Sequence, residues 1–161
     1  MVVADQILRR KLEPAVVTPS IGRAELQTYR SRAEALSDVF AALPPIEGLR
    51  VNAPLTLDEN LADLIGVAIA YRAYTVSLNG TAPPVLDGFT GPQRFFLSYA
   101  RMWRMKVQPG YLRQWLLTLP YSPEQFRTNT PLSQTDAFYE AFAVRERDRL
   151  FVPADRRVRV W

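Results

Sequence analysis

The sequence predicts a mainly helical fold in a single domain. In several stretches apolar residues recur three and four positions apart, as they do along the buried face of an α-helix. The alternation of polar and apolar residues that is typical of strands is weak throughout the chain. With 161 residues, 48% of them hydrophobic, the chain is long enough to build one domain around its own core.

Two helices are predicted in the N-terminal half. Apolar residues three and four apart indicate an amphipathic helix from Arg23 to Phe40, and Pro44-Pro45 follows it as a stop signal. A second helix is expected from Leu57 to Leu78, because the apolar pattern resumes there. Asn79-Gly80 then favours a turn.

A third helix is expected from Pro92 to Val107, since proline is well placed in the first turn of a helix. This helix has a strongly aromatic face. The face is formed by Phe95, Phe96, Tyr99, Met102 and Trp103. A face of this kind is more often part of a core than a binding surface.

Two shorter helices are predicted in the last third of the chain. They run from Tyr111 to Leu119, after the break at Pro109-Gly110, and from Thr135 to Phe142. Between them, Ser122-Pro-Glu-Gln125 predicts a turn with a helix-capping signature. The residues that follow the last helix are expected to form a charged, irregular tail. Residues 1–17 are weakly patterned, and we expect a loosely held lead segment there.

Glu59 and Asp63 are the most informative acidic pair in the sequence. They are four residues apart and therefore share one face of the second predicted helix. One interpretation is a metal site, because two carboxylates on one face offer ligands to a cation. The other is an ordinary helix start, in which Thr56 and Glu59 form a capping box and the acids favour the positive end of the helix dipole.

The composition excludes several kinds of site. The chain has no cysteine, so it forms neither disulfides nor thiolate metal sites, and it has no histidine. By itself it therefore cannot assemble a Ser-His-Asp triad or a two-histidine zinc site. The net charge of +4 is carried mostly by arginines that are spread along the sequence, and nucleic-acid binding is not expected. We also expect no membrane span and no signal peptide.

Six segments, in order, resemble the C-terminal part of the neprilysin-like M13 zinc metallopeptidases. They are Leu55 to Asp63, Ala70 to Tyr74, Asp87 to Thr90, Gln93 to Leu97, Tyr121 to Arg127 and Val158 to Trp161. The resemblance extends from about Thr18 to Trp161. It implies a domain over residues 18–161 with the fold of the C-terminal helical part of a thermolysin-like (gluzincin) catalytic domain, preceded by a divergent lead segment at 1–17.

The resemblance also implies roles for the two acids. Glu59 is similar to the third zinc ligand of the family, and Asp63 to the acid that orients a zinc-binding histidine. A catalytic zinc held by two histidines and a glutamate keeps a fourth position for water, and an outer carboxylate fixes the tautomer of a histidine ligand. Zinc is therefore the cofactor that the resemblance implies for the complete enzyme.

Further residues match positions that contact substrate in the family. Met102 and Trp103 correspond to residues that line the pocket for the side chain after the scissile bond. Arg127 is similar to the arginine that binds a substrate carbonyl, a role that suits a planar guanidinium. Tyr121 stands where the family has a histidine that stabilises the oxyanion, and its hydroxyl can also donate to a developing negative charge.

The sequence departs from the family at one decisive point, because the His-Glu-x-x-His helix is absent. That helix provides two zinc ligands and the general base for a zinc-activated water that hydrolyses the peptide bond. We therefore expect the isolated chain to be inactive, as a truncated or split gene product or as one part of an assembly whose partner supplies the helix. The alternative is a non-catalytic pseudopeptidase module that binds a peptide or protein partner.

Partners follow from the same resemblance. Peptides are the expected substrates, and a second chain that carries the His-Glu-x-x-His helix is a candidate partner. Without that helix we expect an apolar patch to be exposed, and such patches promote self-association. Family members are often periplasmic or extracellular, but the sequence itself does not indicate a compartment.

Overall fold

The computed structural model describes residues 22–160, and the predicted lead segment at 1–17 lies outside them. Six α-helices follow one another: α1 (Arg23–Ala41), α2 (Ala53–Ser77), α3 (Gly91–Met102), α4 (Pro109–Thr118), α5 (Glu124–Ser133) and α6 (Asp136–Phe142). A single 3-10 turn follows at Ala154–Arg156. Within residues 22–160 the only β pairing is two isolated bridges. The prediction of a mainly helical fold is confirmed.

Helix α2 begins earlier than predicted, and this changes the interpretation of its first turns. Asn52 is the N-cap, and its side chain accepts a hydrogen bond from the backbone N–H of Leu55. Thr56 lies inside the helix, where it is buried and donates its hydroxyl to the Asn52 carbonyl. The predicted capping box of Thr56 and Glu59 is therefore wrong. Asparagine is a strong N-cap, and Pro54 fits the first turn, so the chain turns helical one turn sooner.

Two other predictions about helix boundaries are corrected by the structure. Helix α3 ends at Met102 and not at Val107, and Trp103 is its C-cap. At the position of α5 the sequence predicts only a turn. The helix there has Pro123 at its N-cap with no side-chain capping bond, so the capping signature at Ser122 to Gln125 is wrong.

The larger of two hydrophobic clusters joins α1 and α2 to α4, α5 and the C-terminal tail. Its buried members include Leu36, Phe40, Leu61, Leu64, Leu116, Phe126, Val158 and Val160. The tail is thus irregular, as expected, but it also completes the core. Arg32 in α1 holds it by donating from Nη1 to the carbonyl of Val160 at 2.8 Å.

The second cluster lies along the C-terminal half of α2. Val67 of α2, Phe96 of α3 and Leu132 of α5 are its buried members, and aromatic residues of α6 pack around them. Helices α2 and α5 therefore contribute to both clusters. Packing at two separate points fixes how the two helices lie against each other.

A chain of buried polar groups also joins α2 to the start of α5. The hydroxyl of Ser122 donates to Oδ1 of Asn60 at 2.8 Å, and Nδ2 of Asn60 donates to the Thr56 hydroxyl at 2.9 Å. All three side chains are buried. Because each polar group has a partner, the network is compatible with burial in a core and specifies one arrangement of the two elements.

The outer side of α2 is apolar as well. Ala62, Gly66, Ile69, Ala73 and Val76 lie three or four residues apart and are all exposed. A helix that is apolar on most of its circumference is usually buried inside a larger structure. None of the helices within residues 22–160 is long and apolar enough to cross a membrane.

The buried network gives a direct test of the fold. Ser122→Ala would leave Oδ1 of Asn60 buried without a donor, so we expect the free energy of unfolding to fall by about 1–3 kcal/mol. Ser98→Ala, at an exposed serine of α3, is the matched control and should change stability by less than about 0.5 kcal/mol. Urea denaturation of both variants measures the difference. Equal stabilities would show that the network adds nothing.

Candidate active site

The acidic face of α2 meets the first turn of α5 in a compact ion-pair cluster. Arg127 donates from Nε to Oδ2 of Asp63 at 2.7 Å and from Nη2 to Oδ1 at 2.9 Å. Its Nη2 also lies 3.5 Å from Oε2 of Glu59. The side chains of Arg127 and Asp63 are 14% and 9% exposed, whereas that of Glu59 is 41% exposed. Asp63 is therefore held tightly, and Glu59 remains accessible.

The position of Glu59 and Asp63 in α2 decides whether they are helix-start acids. Glu59 and Asp63 lie beyond the first turn of α2, which begins at Ala53, so they do not act on the helix terminus. The interpretation of both as helix-start acids is therefore wrong. They share one face, as their spacing predicted, and Arg127 at the start of α5 meets both of them.

Aromatic rings surround the guanidinium of Arg127. Its Cζ lies 4.2 Å from the centroid of the Trp103 ring and 5.8 Å from that of Tyr121. The hydroxyl of Tyr99 donates to the backbone carbonyl of Arg127 at 2.8 Å. A cation over an aromatic face is stabilised by the ring quadrupole, so these rings hold the guanidinium in addition to Asp63.

The electrostatics of the cluster follow from burial and charge. Partial burial acts to lower the pKa of Arg127, but the hydrogen bonds and charge of Asp63, with the charge of Glu59, outweigh it and raise the pKa above its ordinary value. Burial raises the pKa of the Tyr99 hydroxyl, and the nearby Asp63 carboxylate raises it further. Arginine therefore stays charged, and Tyr99 stays protonated, at neutral pH.

Of the remaining candidates, Tyr121 lies beside the guanidinium of Arg127 and Met102 does not. Tyr121 is partly exposed, and its backbone carbonyl accepts a 2.7 Å hydrogen bond from Nε1 of Trp115. This bond ties the segment before α5 to α4. The side chain of Met102 lies on the surface and is 67% exposed, although it directly precedes Trp103.

Tyr99 and Ser122 are the residues of this region that sequence reasoning did not assign to the site. The sequence predicts an aromatic core face for Tyr99 and a helix-capping position for Ser122. No local pattern distinguishes either from those ordinary uses. Their contacts, to Arg127 and to Asn60, join positions far apart in the chain.

The residues of the cluster do not make a complete zinc site. In the part of the chain that the structure describes, no group of three or more histidine, cysteine, aspartate or glutamate side chains is placed to hold a metal ion. Catalytic zinc takes three protein ligands. Glu59 and Asp63 supply two carboxylates, and Arg127 already offsets part of their charge.

Comparison with known proteins places the chain in a family. The family model described as "Peptidase family M13" matches residues 16–158. Neprilysin-11 of Caenorhabditis elegans is 41% identical over 102 residues, which are 61% of this chain and 12% of that protein. Endothelin-converting enzyme 1 of Homo sapiens is 34% identical over 123 residues, which are 74% of this chain and 16% of the enzyme.

Solved structures agree with these matches. The zinc metalloprotease ZMP1 of Mycobacterium tuberculosis, in complex with an inhibitor, superposes with a TM-score of 0.79 at 40% identity, covering 83% of this chain and 21% of that one. PepO from Lactobacillus rhamnosis HN001 superposes with a TM-score of 0.70 at 31% identity, covering 85% and 20%.

The fold is therefore that of the C-terminal helical part of a zinc metallopeptidase catalytic domain. The chain belongs to peptidase family M13. It spans only 12% and 16% of the length of the two curated relatives described above. The family assignment that the sequence motifs predicted is confirmed.

A double-mutant cycle tests the unequal geometry of the two acids. For Asp63→Ala and Arg127→Ala we expect a coupling energy of about 2 kcal/mol, because the pair is bidentate and largely buried. For Glu59→Ala and Arg127→Ala the coupling should be below about 0.5 kcal/mol, because Glu59 is more exposed and makes one long contact. Urea denaturation of the single and double variants measures both, and equal couplings would contradict this geometry.

Alkaline titration tests the environment of Tyr99. Its folded pKa lies above the ordinary value of 10.0, so the stability it contributes is present below pH 10.0 and is lost as pH rises through the folded pKa. Tyr99→Phe should remove up to about 1.4 kcal/mol per pH unit from the slope of stability above that pH. The parent protein is the reference for this slope. An identical slope in the parent and in Tyr99→Phe would contradict the burial of Tyr99.

Proposed function

We propose that this chain is the substrate-binding and ligand-contributing portion of an M13-type zinc metalloendopeptidase. The observation that carries the proposal is the docking of Arg127 on Asp63 with Glu59 beside it. These are the three charged residues that the family resemblance assigns to the site. Arg127 and Asp63 are 64 residues apart in sequence, and a hydrogen bond joins them across α2 and α5.

The two acids are suited to different tasks. Glu59 is the more exposed of the two and is bound to Arg127 only through a 3.5 Å contact, so its carboxylate is available to ligate a metal. Asp63 uses one lone pair of each oxygen for Arg127, and a carboxylate has further lone pairs. It can therefore hold Arg127 in place and also accept a hydrogen bond from a histidine ligand.

Arg127 is placed to bind the substrate. Its Nε and Nη2 are engaged by the acids, and within residues 22–160 its Nη1 has no partner. Trp103 lies under the guanidinium and limits its movement. A guanidinium held on one edge presents the remaining N–H groups in a fixed direction, which favours binding of a peptide carbonyl. Tyr121, whose ring lies beside it, is the candidate donor to the oxyanion.

A partner segment would have to supply the histidines and the general base. The exposed apolar side of α2 begins at Ala62, between Glu59 and Asp63 in sequence, and continues through Gly66, Ile69 and Ala73. Small residues allow close approach of another helix. We therefore propose that a His-Glu-x-x-His helix packs along this side of α2. Zinc, when bound there, would supply the electrophile and the activated water.

The second candidate is a pseudopeptidase that binds a peptide without cleaving it. It is favoured by the pairing of both acids with Arg127, since the guanidinium offsets part of their charge without a metal. In this case the chain would bind peptides whether or not the histidine helix is present.

Restoring the missing helix tests the first candidate. A segment carrying His-Glu-x-x-His, fused through a flexible linker or added as a separate peptide, should yield zinc binding in isothermal titration calorimetry. Glu59→Ala should weaken that binding by about tenfold or more, because a protein ligand is lost.

The control for this experiment is Glu34→Ala, which removes an exposed carboxylate from α1 and should leave zinc affinity unchanged. Without the added helix, the pure chain should give no chelator-sensitive cleavage of a fluorogenic peptide. Zinc affinity that is equal in the Glu59→Ala and parent proteins would refute the assignment of Glu59 as a ligand.

A further inference from the structure

The charges of this chain are unevenly distributed. Residues 88–123 contain five arginine and lysine residues and no aspartate or glutamate, whereas the net charge of the whole chain is +4. The rest of the chain is therefore close to neutral. The acid-free stretch covers α3 and α4 and the connection between them.

Within this stretch, residues 101–106 form what we call the basic segment. Arg101, Arg104 and Lys106 are all exposed, and none of them has an ion-pair partner in the described part of the chain. Between them lie Met102 and Met105, whose side chains are 67% and 63% exposed. The segment thus combines unpaired positive charge with flexible apolar side chains.

The basic segment is attached directly to the candidate active site. Trp103, at its centre, lies under the guanidinium of Arg127 with its ring centroid 4.2 Å from Cζ. Met102 and Arg104 are its neighbours in sequence, one on each side of the residue that contacts Arg127. A peptide held by Arg127 would pass close to the exposed side chains of the segment.

We propose that the basic segment binds an acidic stretch of a peptide substrate, with the cations pairing with carboxylates and the methionines contacting apolar side chains. The inference rests on the proposed function and adds a substrate class to it. Exposed cations without internal partners attract carboxylates, and methionine adapts to apolar side chains of different shape.

Other anionic partners fit the segment less well. Proteins that bind single-stranded nucleic acid add aromatic rings on which bases stack, and the one ring of the segment, Trp103, is already against Arg127. Surface binding to anionic membranes typically uses an amphipathic helix. Most of the basic segment is not helical, because α3 ends at Met102.

Peptide binding to the full chain tests the inference without zinc. A short fluorescein-labelled peptide that alternates leucine with glutamate is compared by fluorescence anisotropy with the same peptide carrying glutamine in place of glutamate. We expect the acidic peptide to bind about tenfold more tightly at low salt, and this preference to shrink as NaCl is raised to about 0.5 M.

The double variant Arg104→Gln/Lys106→Gln should reduce affinity for the acidic peptide by about tenfold. Its affinity for the glutamine peptide should stay unchanged. Arg145→Gln/Arg147→Gln removes the same charge from another exposed segment and should change affinity by less than about twofold. Circular dichroism checks that all variants fold alike.

Three outcomes would overturn the inference. They are equal affinity for the acidic and glutamine peptides, equal loss in both double variants, and tighter binding of phosphatidylserine vesicles or a single-stranded oligonucleotide through the same residues. Because the measurement uses no zinc and no added helix, its failure leaves the zinc test of Glu59 standing. Failure of the zinc test would likewise leave the measured peptide preference in place.

Discussion

The contact between α2 and α5 is the constraint on which the site depends. Apolar residues hold it at two points, with Phe126 in the larger cluster and Leu132 in the second. Between these anchors the two helices also bring Asp63 and Arg127 together in a hydrogen-bonded ion pair. Rotation of either helix would expose apolar side chains and also separate a largely buried ion pair. The same packing that stabilises the fold therefore aligns the charged groups.

Much of the helical architecture was predictable, because apolar spacing of three and four residues is a local signal. Helix α5 was not predictable from such a signal. Its stretch from Thr128 to Pro131 contains residues that favour turns, and a proline lies inside the helix. Burial of Phe126 and Leu132 outweighs these local preferences. The predicted start of α2 at Leu57 is too late. Threonine and asparagine are both common N-cap residues, and the structure shows that Asn52 is the one used.

For the candidate site, spacing predicted that Glu59 and Asp63 share a face, and the family motifs identified Arg127. Spacing could not predict that Arg127 binds both acids, because the pairing joins helices that are distant in sequence. The same is true of Tyr99, whose hydroxyl binds the Arg127 carbonyl although its position is that of an ordinary core aromatic. The roles of these residues in hydrolysis remain predictions that rest on the family.

The exposure of Met102 and Met105 makes this surface sensitive to oxidation. Methionine is oxidised to its sulfoxide at the sulfur atom, which turns a flexible apolar side chain into a polar one, and exposed methionines react first. The neighbouring arginines and lysine keep their charge under the same conditions. Mild peroxide treatment would therefore remove the apolar character of this surface and leave its charge. The surface next to Trp103 would then attract anions while contacting apolar side chains poorly.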